Sequence, residues 1–294
     1  MTDYIYLIFA TFCSSALSVI ASLYNRKNAR LANVYKLYPL LLSIGALISW
    51  GIFYAIDFSF DLKVLVYSLI YGICYTLATT GLISALKSGP TMITEYVKSL
   101  SLIFVSVWGF IFWQEPFTLL VGIGLVLIAI ALFLCLSKRK NELIIKNTKP
   151  ITLKWALFCL ILLTCNAGCS IIKKYQQMEF NNQHGMQFMF FASIIAVIVA
   201  FILSLKEDKT NWKTAIKKTW YLPMLSGLSS ATLNYLYLIL FASSISTSVI
   251  FPVIAVGGLA ITITVSFFIF KERLSKLQWI GIFVGAVAVA LLNI

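Results

Sequence analysis

The chain has 294 residues, of which 61% are hydrophobic and 11% are charged, and its mean hydropathy is +0.94. Soluble globular domains carry about 25% charged residues, so this composition excludes a soluble protein and predicts a membrane protein. The formal net charge is +13. It does not indicate a nucleic-acid partner, because the basic residues are spread over short loops and are not gathered on one domain.

Ten apolar stretches are long enough to cross a bilayer as helices, which takes about 20 residues each. They are too long for barrel strands and lack the alternation of such strands. The predicted fold is therefore an all-α integral membrane protein with ten transmembrane helices. The predicted spans, numbered 1 to 10, are 4–24, 34–55, 63–86, 91–113, 117–136, 153–172, 186–205, 219–241, 246–270 and 277–293.

Lysine and arginine are distributed unevenly between the two sets of loops. The loops after odd-numbered spans hold 19 of these residues, and the other loops hold three, Lys63, Lys173 and Lys174. Basic loops stay in the cytoplasm, so this bias predicts a multi-pass protein of the cytoplasmic membrane with both termini outside.

Spans 4 and 5 resemble spans 9 and 10 at a fixed shift of 157 residues, which places Ala85 on Ala242 and Glu115 on Glu272. Span 1 matches span 6 at a shift of 152, where Ser14 falls on Asn166. Two copies with an odd number of spans must insert in opposite orientations, an arrangement typical of secondary transporters with a central substrate site. The sequence therefore predicts two inverted five-helix repeats, residues 1–145 and 146–294.

Glu95 and Lys98 are the ionisable residues that we place well inside a predicted span. Charges at that depth are costly and commonly mark substrate or proton pathways, so both are candidate substrate-binding residues. A carboxylate there could attract a cationic substrate or exchange protons with it. The alternative is structural, with Glu95 and Lys98 paired on one helix face, or with Glu95 reaching interfacial water while Lys98 snorkels.

Polar and aromatic residues at mid-depth are further candidates for the substrate site. Tyrosine rings with hydroxyl tips suit organic substrates and can hold cations, whereas hydrogen bonds between packed helices are the alternative. The candidates are Ser14 in span 1, Tyr71 and Tyr75 in span 3, Asn166 in span 6, and Asn234 and Tyr237 in span 8.

Other residues have predicted structural roles. Glu115 and Glu272 occupy equivalent turns, where each carboxylate can cap the helix that follows. Pro252, Gly257 and Gly258 in span 9 predict a conformational hinge. The six cysteines lie inside predicted spans and the chain has one histidine, so neither a cofactor nor a metal site is predicted.

The run from Leu233 to Ile294 resembles the EamA-type proteins of the drug/metabolite transporter superfamily. The resemblance rests on Ala242, Ser243 to Ser248, Pro252, the sequence Glu272-Arg273-Leu274-Ser275, and Ile280-Gly281. The first half keeps Ala85, Ser88, Glu115 and Gly124 but has Glu95 at the position of Pro252. The resemblance implies a ten-helix carrier of two repeats with a central cavity.

The expected function is secondary transport of a small organic metabolite or drug by alternating access, with proton-coupled export as one form. The expected partners are the small-molecule substrate, the lipid bilayer and, in the coupled form, protons, with the protein a monomer or homodimer. No phosphate-binding loop for ATP is found in the sequence. The alternative is a polytopic enzyme acting on a lipid-linked substrate, which needs a cluster of acids, histidines or a nucleophile.

Overall fold

The computed structural model describes residues 2–28, 31, 34, 36–89, 91–115, 117–136, 152–205, 209–243, 245–270 and 275–292. Within these ranges the regular secondary structure is entirely helical. The helices are α1 (Thr2–Lys27), α2 (Leu37–Ile56), α3 (Val64–Ser88), α4 (Thr91–Phe112), α5 (Leu119–Leu136), α6 (Leu153–Glu179), α7 (Gly185–Leu205), α8 (Trp212–Thr219), α9 (Tyr221–Phe241), α10 (Thr247–Phe270) and α11 (Lys276–Leu292).

Seven of the described helices, α1, α2, α3, α6, α7, α9 and α10, are long and apolar enough to cross a membrane. Shorter apolar stretches, Tyr96–Phe112, Leu119–Leu134 and Lys276–Val289, lie in α4, α5 and α11. Large apolar side chains such as Ile52, Phe133 and Phe283 point outward and are more than half exposed. Such surfaces are stable only in lipid, so the chain is an all-α, multi-pass membrane protein.

The predicted end of span 6 is wrong, and the polar loop before span 8 contains a helix that was not predicted. Helix α6 continues to Glu179, past the predicted end at residue 172, so Lys173 and Lys174 lie inside a helix and not in a loop. The polar run is helical because Lys173 and its neighbours Gln176 and Gln177 are buried against protein. The polar segment before α9 also contains α8, which buries one face and presents lysines on the other.

The major helix interfaces join elements that are far apart in the sequence. Helix α3 packs on α6 and α7, α9 packs on α1 and α2, and α5 packs on α11. Further interfaces join α1 to α10, α4 to α6, α4 to α10 and α2 to α7. The largest apolar cluster surrounds α10, where Ile250, Phe251 and Ile254 are fully buried.

Small residues allow two of these interfaces to form. A Cβ atom on Gly45 of α2 would lie 2.7 Å from the carbonyl oxygen of Met224 in α9, and a Cβ on Gly72 of α3 would lie 2.6 Å from that of Ala192 in α7. Backbones can approach this closely only at glycine, which is how helices commonly pack in membranes.

The helix termini meet at two ends of the bundle. At the end that carries most of the basic loops, here called the basic end, Lys27 donates a hydrogen bond to the Tyr221 hydroxyl (2.6 Å) and Asn28 donates to Thr219 Oγ1 (3.0 Å). At the opposite end, the Gln187 side chain exchanges two hydrogen bonds of 2.8 Å with the Asp61 backbone. The functional candidates lie between these ends.

Candidate functional site

Lys173 is a buried lysine of α6 and is only 3% exposed. It lies six residues before the last residue of α6, a distance of about 9 Å along the helix axis. A lysine in a membrane-spanning helix is a candidate functional residue because its charge is costly to bury. Lys173 was not predicted as a site residue, because two adjacent lysines, Lys173 and Lys174, are typical of the start of a loop.

Asn234 of α9 holds the ammonium group of Lys173. Lys173 Nζ donates to Asn234 Oδ1 at 2.5 Å, and the Tyr71 hydroxyl donates to the same oxygen at 3.2 Å. The Asn234 amide nitrogen donates to the carbonyl oxygen of Ser230 at 2.8 Å, and the Ser230 hydroxyl lies 3.0 Å from that of Tyr75. Because hydrogen bonds hold both the oxygen and the nitrogen of the Asn234 amide, this network fixes the orientation of the side chain.

Aromatic rings enclose the same ammonium group. Lys173 Nζ lies 4.3 Å from the ring centroid of Tyr237 and 5.9 Å from that of Tyr71. The Tyr71 ring is stacked on Tyr75 at 6.0 Å and meets the edge of Phe188 at 5.2 Å. The structure thus brings together four of the predicted candidates around a lysine that was not predicted. We call this group the lysine cluster: Tyr71, Tyr75, Lys173, Ser230, Asn234 and Tyr237.

A second polar group lies where α1, α4, α6 and α10 cross. Asn166 of α6 donates to the Ser101 hydroxyl of α4 at 2.6 Å. Lys98 of α4 donates to the Ser18 hydroxyl of α1 at 3.3 Å. Ser14 faces α10, where a Cβ atom on Gly258 would lie 3.0 Å from its hydroxyl oxygen. We call this group the crossing cluster: Ser14, Ser18, Lys98, Ser101, Asn166 and Gly258.

The two clusters share one face of α6. Asn166 and Lys173 are seven residues apart, two helical turns or about 10 Å, with Cys169 and Ser170 between them. Both intervening residues are buried. This spacing is a signal that could have identified Lys173 from the sequence, because residues seven apart lie on the same side of a helix.

Glu95 belongs to α4, but its side chain lies outside the described part of the structure. Its role in substrate binding stays a prediction. Lys98 lies one turn further along the same helix and is partly buried at the crossing cluster.

The predicted hinge residues lie in α10, which continues as one helix from Thr247 to Phe270 through Pro252. Gly257 and Gly258 face α1, and a Cβ atom on Gly257 would lie 3.0 Å from Thr11 Cγ2. Their observed contribution is close packing of α10 against α1. A hinge role for the three residues stays a prediction.

Glu115 caps a helix, but it is a different helix from the one predicted. The Glu115 carboxylate does not cap α5, the helix that follows it. It accepts hydrogen bonds from the backbone nitrogens of Thr247 (3.0 Å) and Ser248 (2.8 Å), and from the Thr247 hydroxyl, at the start of α10. The turn after α4 folds back over the neighbouring helix, so the carboxylate meets free N–H groups of the other half. Glu272, its predicted counterpart, lies outside the described residues.

Comparison with solved structures supports a fold of known type. Among 28 matching chains, one described as "Crystal structure of protein" superposes with a TM-score of 0.72 at 12% sequence identity, covering 99% of this chain and 96% of that chain. At this identity the match shows the fold alone. A search of curated proteins finds no match to the sequence.

The sequence match indicates a membrane transporter of the drug/metabolite transporter type. Residues 153–294 match the model of the EamA-like transporter family. The second half of the chain thus matches the EamA-like transporter family, a member of the drug/metabolite transporter superfamily, as the sequence analysis predicted. The family match gives no support to the alternative of a lipid-modifying enzyme.

Proposed function

We propose that this protein is a secondary transporter that moves a small organic metabolite or drug across the cytoplasmic membrane by alternating access. In this proposal ten helices cross the membrane as two inverted five-helix repeats, residues 1–145 and 146–294. The short α8 lies at the membrane surface within the second repeat and is additional to its five spanning helices. The substrate passes between the repeats, at the lysine cluster and the crossing cluster.

The observation that carries the proposal is the reciprocity of the helix packing. The two halves can be exchanged in order, with α1, α2, α3, α4 and α5 taking the places of α6, α7, α9, α10 and α11. Each major interface then becomes another major interface or itself. The α1–α9 interface becomes α6–α3, α2–α9 becomes α7–α3, and α1–α10 becomes α6–α4, while α2–α7, α4–α10 and α5–α11 convert into themselves. Such packing is expected of inverted repeats that face each other across a central site.

Individual residues support the same exchange. At the two sequence shifts, Ser14 corresponds to Asn166 and Ser101 corresponds to Gly258. The structure pairs Asn166 with Ser101 and places Ser14 against Gly258. The two shifts come from the sequence alone. They relate the contacting pair Asn166 and Ser101 to the contacting pair Ser14 and Gly258, which favours a common origin of the halves.

The two ends of the bundle supply contacts that could open in turn. The opposite end is closed by Glu115 on the start of α10, and the basic end is closed by Asn28 on Thr219. Each contact joins residues from different repeats. Opening one set while the other stays closed would expose the centre to one side of the membrane at a time.

Transport in proteoliposomes tests the proposal. Vesicles holding the purified protein would be loaded with a panel of unlabelled amines, carboxylates and neutral metabolites, and exchange against each labelled compound would be followed without ATP. We expect saturable exchange of at least one compound class that protein-free vesicles lack. Failure of every compound to exchange above the protein-free background would contradict secondary transport.

Proton coupling is part of the same proposal and depends on Glu95. A carboxylate within a membrane-spanning segment could bind a cationic group or carry a proton during the transport cycle. Imposing a pH difference across the vesicle membrane should then drive accumulation. Equal flux with and without the pH difference would restrict the proposal to uncoupled transport.

A further inference from the structure

Lys173 has no compensating negative charge in the part of the chain that the structure describes. Its contacts are one amide oxygen and the faces of two tyrosine rings. A buried ammonium group without an anion is strongly unfavourable, because neutral partners replace only part of its hydration. An anion that arrives from outside the protein would complete the charge balance of this group.

Three of the described carboxylates at the same end of the bundle are bonded elsewhere. Glu179 accepts from the Tyr67 hydroxyl, Glu115 is bound at the start of α10, and Asp61 accepts from the Lys63 backbone nitrogen at 2.8 Å. Each contact holds its carboxylate away from Lys173. The counter-charge is therefore not supplied by these side chains.

The ammonium group also has unused donors. An ammonium group carries three N–H donors, and among the residues that the structure describes Lys173 makes one hydrogen bond, to Asn234 Oδ1. A carboxylate can accept the other two through its two oxygens, and charge-assisted hydrogen bonds of this kind are stronger than neutral ones. The rings of Tyr71 and Tyr237 offer apolar surface beside the same point.

We propose that Lys173 is the anion-binding residue of the transport site and takes the carboxylate of a monovalent organic substrate, whose apolar body lies against Tyr71 and Tyr237. The inference rests on the proposed transport function and names its substrate class. A single lysine balances a single negative charge, whereas a phosphate group usually requires several cations or backbone N–H groups. This charge balance favours a carboxylate over a phosphate.

Ligand-induced thermal stabilisation of the purified protein tests the inference. The probes are benzoate, hydrocinnamate and 4-methylvalerate, each compared with its neutral amide, and phenyl phosphate as the phosphate probe. At equal concentration, a ligand that binds the folded state more tightly raises the apparent melting temperature more. We expect the carboxylates to stabilise the wild-type protein more than the amides or phenyl phosphate.

Two variants remove the charge in different ways. Lys173→Met keeps an unbranched side chain of similar length, and Lys173→Gln keeps N–H donors without the charge. Because replacing a buried charge by an apolar group is often neutral or stabilising, Lys173→Met should fold. Both variants should bind the carboxylates about 30-fold more weakly or worse.

Lys174→Met is the matched control. Lys174 is the adjacent lysine, and its Nζ donates to the Phe241 carbonyl oxygen at 3.4 Å and not to Asn234. This variant should bind carboxylates as the wild type does. A loss of binding in Lys174→Met equal to that in Lys173→Met would mean a general charge effect and would overturn the inference.

Other outcomes overturn the inference while leaving transport intact. Equal stabilisation by carboxylates and amides, preference for phenyl phosphate, stabilisation by none of the carboxylates, or unchanged binding in Lys173→Met would each contradict it. Exchange of an amine by both wild type and Lys173→Met vesicles would then show that transport stands without an anion site. Conversely, carboxylate binding that depends on Lys173, with no flux of any compound, would support the site and reject the transport proposal.

Discussion

The lysine cluster differs sharply from the region that corresponds to it in the first half of the chain. At the shift of 152 residues, the counterpart of Lys173 is Ala21 in α1. Ala21 packs into an apolar cluster near the basic end, which includes Ile20, Leu42 and Leu222. The two tyrosines of that cluster, Tyr24 and Tyr38, have ring centroids 4.9 Å apart and point their hydroxyls at other partners.

This difference shows that the halves share their packing but not their chemistry. The helix interfaces of the two halves correspond to one another. In the second half they surround the buried Lys173, whereas in the first half they surround the apolar cluster around Ala21, here called the apolar seal. A transporter needs its substrate-recognition groups once, whereas both halves must pack in the same way to exchange roles during the cycle. The asymmetry therefore supports the proposal that the substrate's anionic group is recognised at α3, α6 and α9.

The largest expected effect comes from placing a lysine in the apolar region. Ala21→Lys would bury an ammonium group without the Asn234 acceptor that Lys173 has, at a cost of about 3 kcal/mol or more. The apparent melting temperature in detergent should fall by about 6–12 °C. Asn25→Lys, at an exposed position of the same helix, should leave it unchanged. A stable Ala21→Lys protein would contradict the apolar seal.

The next prediction concerns Glu95, which has proline as its counterpart in the second half. Glu95→Gln keeps the size and hydrogen-bonding capacity of the side chain while removing its charge. Transport in proteoliposomes should fall about 30-fold or lose its dependence on pH, because a charge partner of substrate or proton is gone. Glu179→Gln, which changes an exposed glutamate near the opposite end, is the control. Wild-type flux and pH profile in Glu95→Gln would leave Glu95 with a structural role only.

A smaller effect is expected at the contact between the turn after α4 and the start of α10. Glu115→Gln replaces a charged cap of two backbone N–H groups by a neutral one, at a cost of about 1 kcal/mol. The apparent melting temperature should fall by about 2–4 °C. Asp57→Asn, at an exposed acid that follows α2, should have no effect. Equal melting temperatures for Glu115→Gln and wild type would show that the contact contributes little to closing this end.

The orientation of the bundle can be tested with changes that should not affect stability. We expect the basic end to face the cytoplasm. In intact cells, a membrane-impermeant thiol reagent should therefore label Asp57→Cys and not Thr214→Cys, both at exposed positions. Permeabilised cells should show labelling of both. The reverse pattern in intact cells would invert the proposed topology.

Much of the fold follows from hydropathy alone. Each predicted span coincides with a helix to within a few residues at most of its ends, because an apolar run of about 20 residues has few other ways to satisfy its backbone in lipid. The end of α6 was missed because Lys173, Gln176 and Gln177 are typical loop residues by composition. Their burial depends on partners such as Asn234, more than 50 residues away in the chain.

Part of the candidate site was predictable from polar and aromatic residues that interrupt apolar spans. Tyrosine and asparagine at mid-depth of a span are unusual enough to single out Tyr71, Tyr75, Asn234 and Tyr237, which the structure places together. The sequence could not predict that Lys173 lies among them, or that Glu115 caps α10 and not α5. Both depend on which helices of the two halves meet, and hydropathy contains no information on pairing.

Distance measurements between spin labels at the two ends test alternating access most directly. One pair of cysteines, at Asn25 and Lys217, spans the basic end, and another, at Gln114 and Ala242, spans the opposite end; all four positions are exposed. The native cysteines would first be replaced. The account predicts that each pair samples a short and a long distance and that a bound substrate or a pH step shifts the two pairs in opposite directions. Fixed distances at both ends, or lengthening at both ends together, would contradict it.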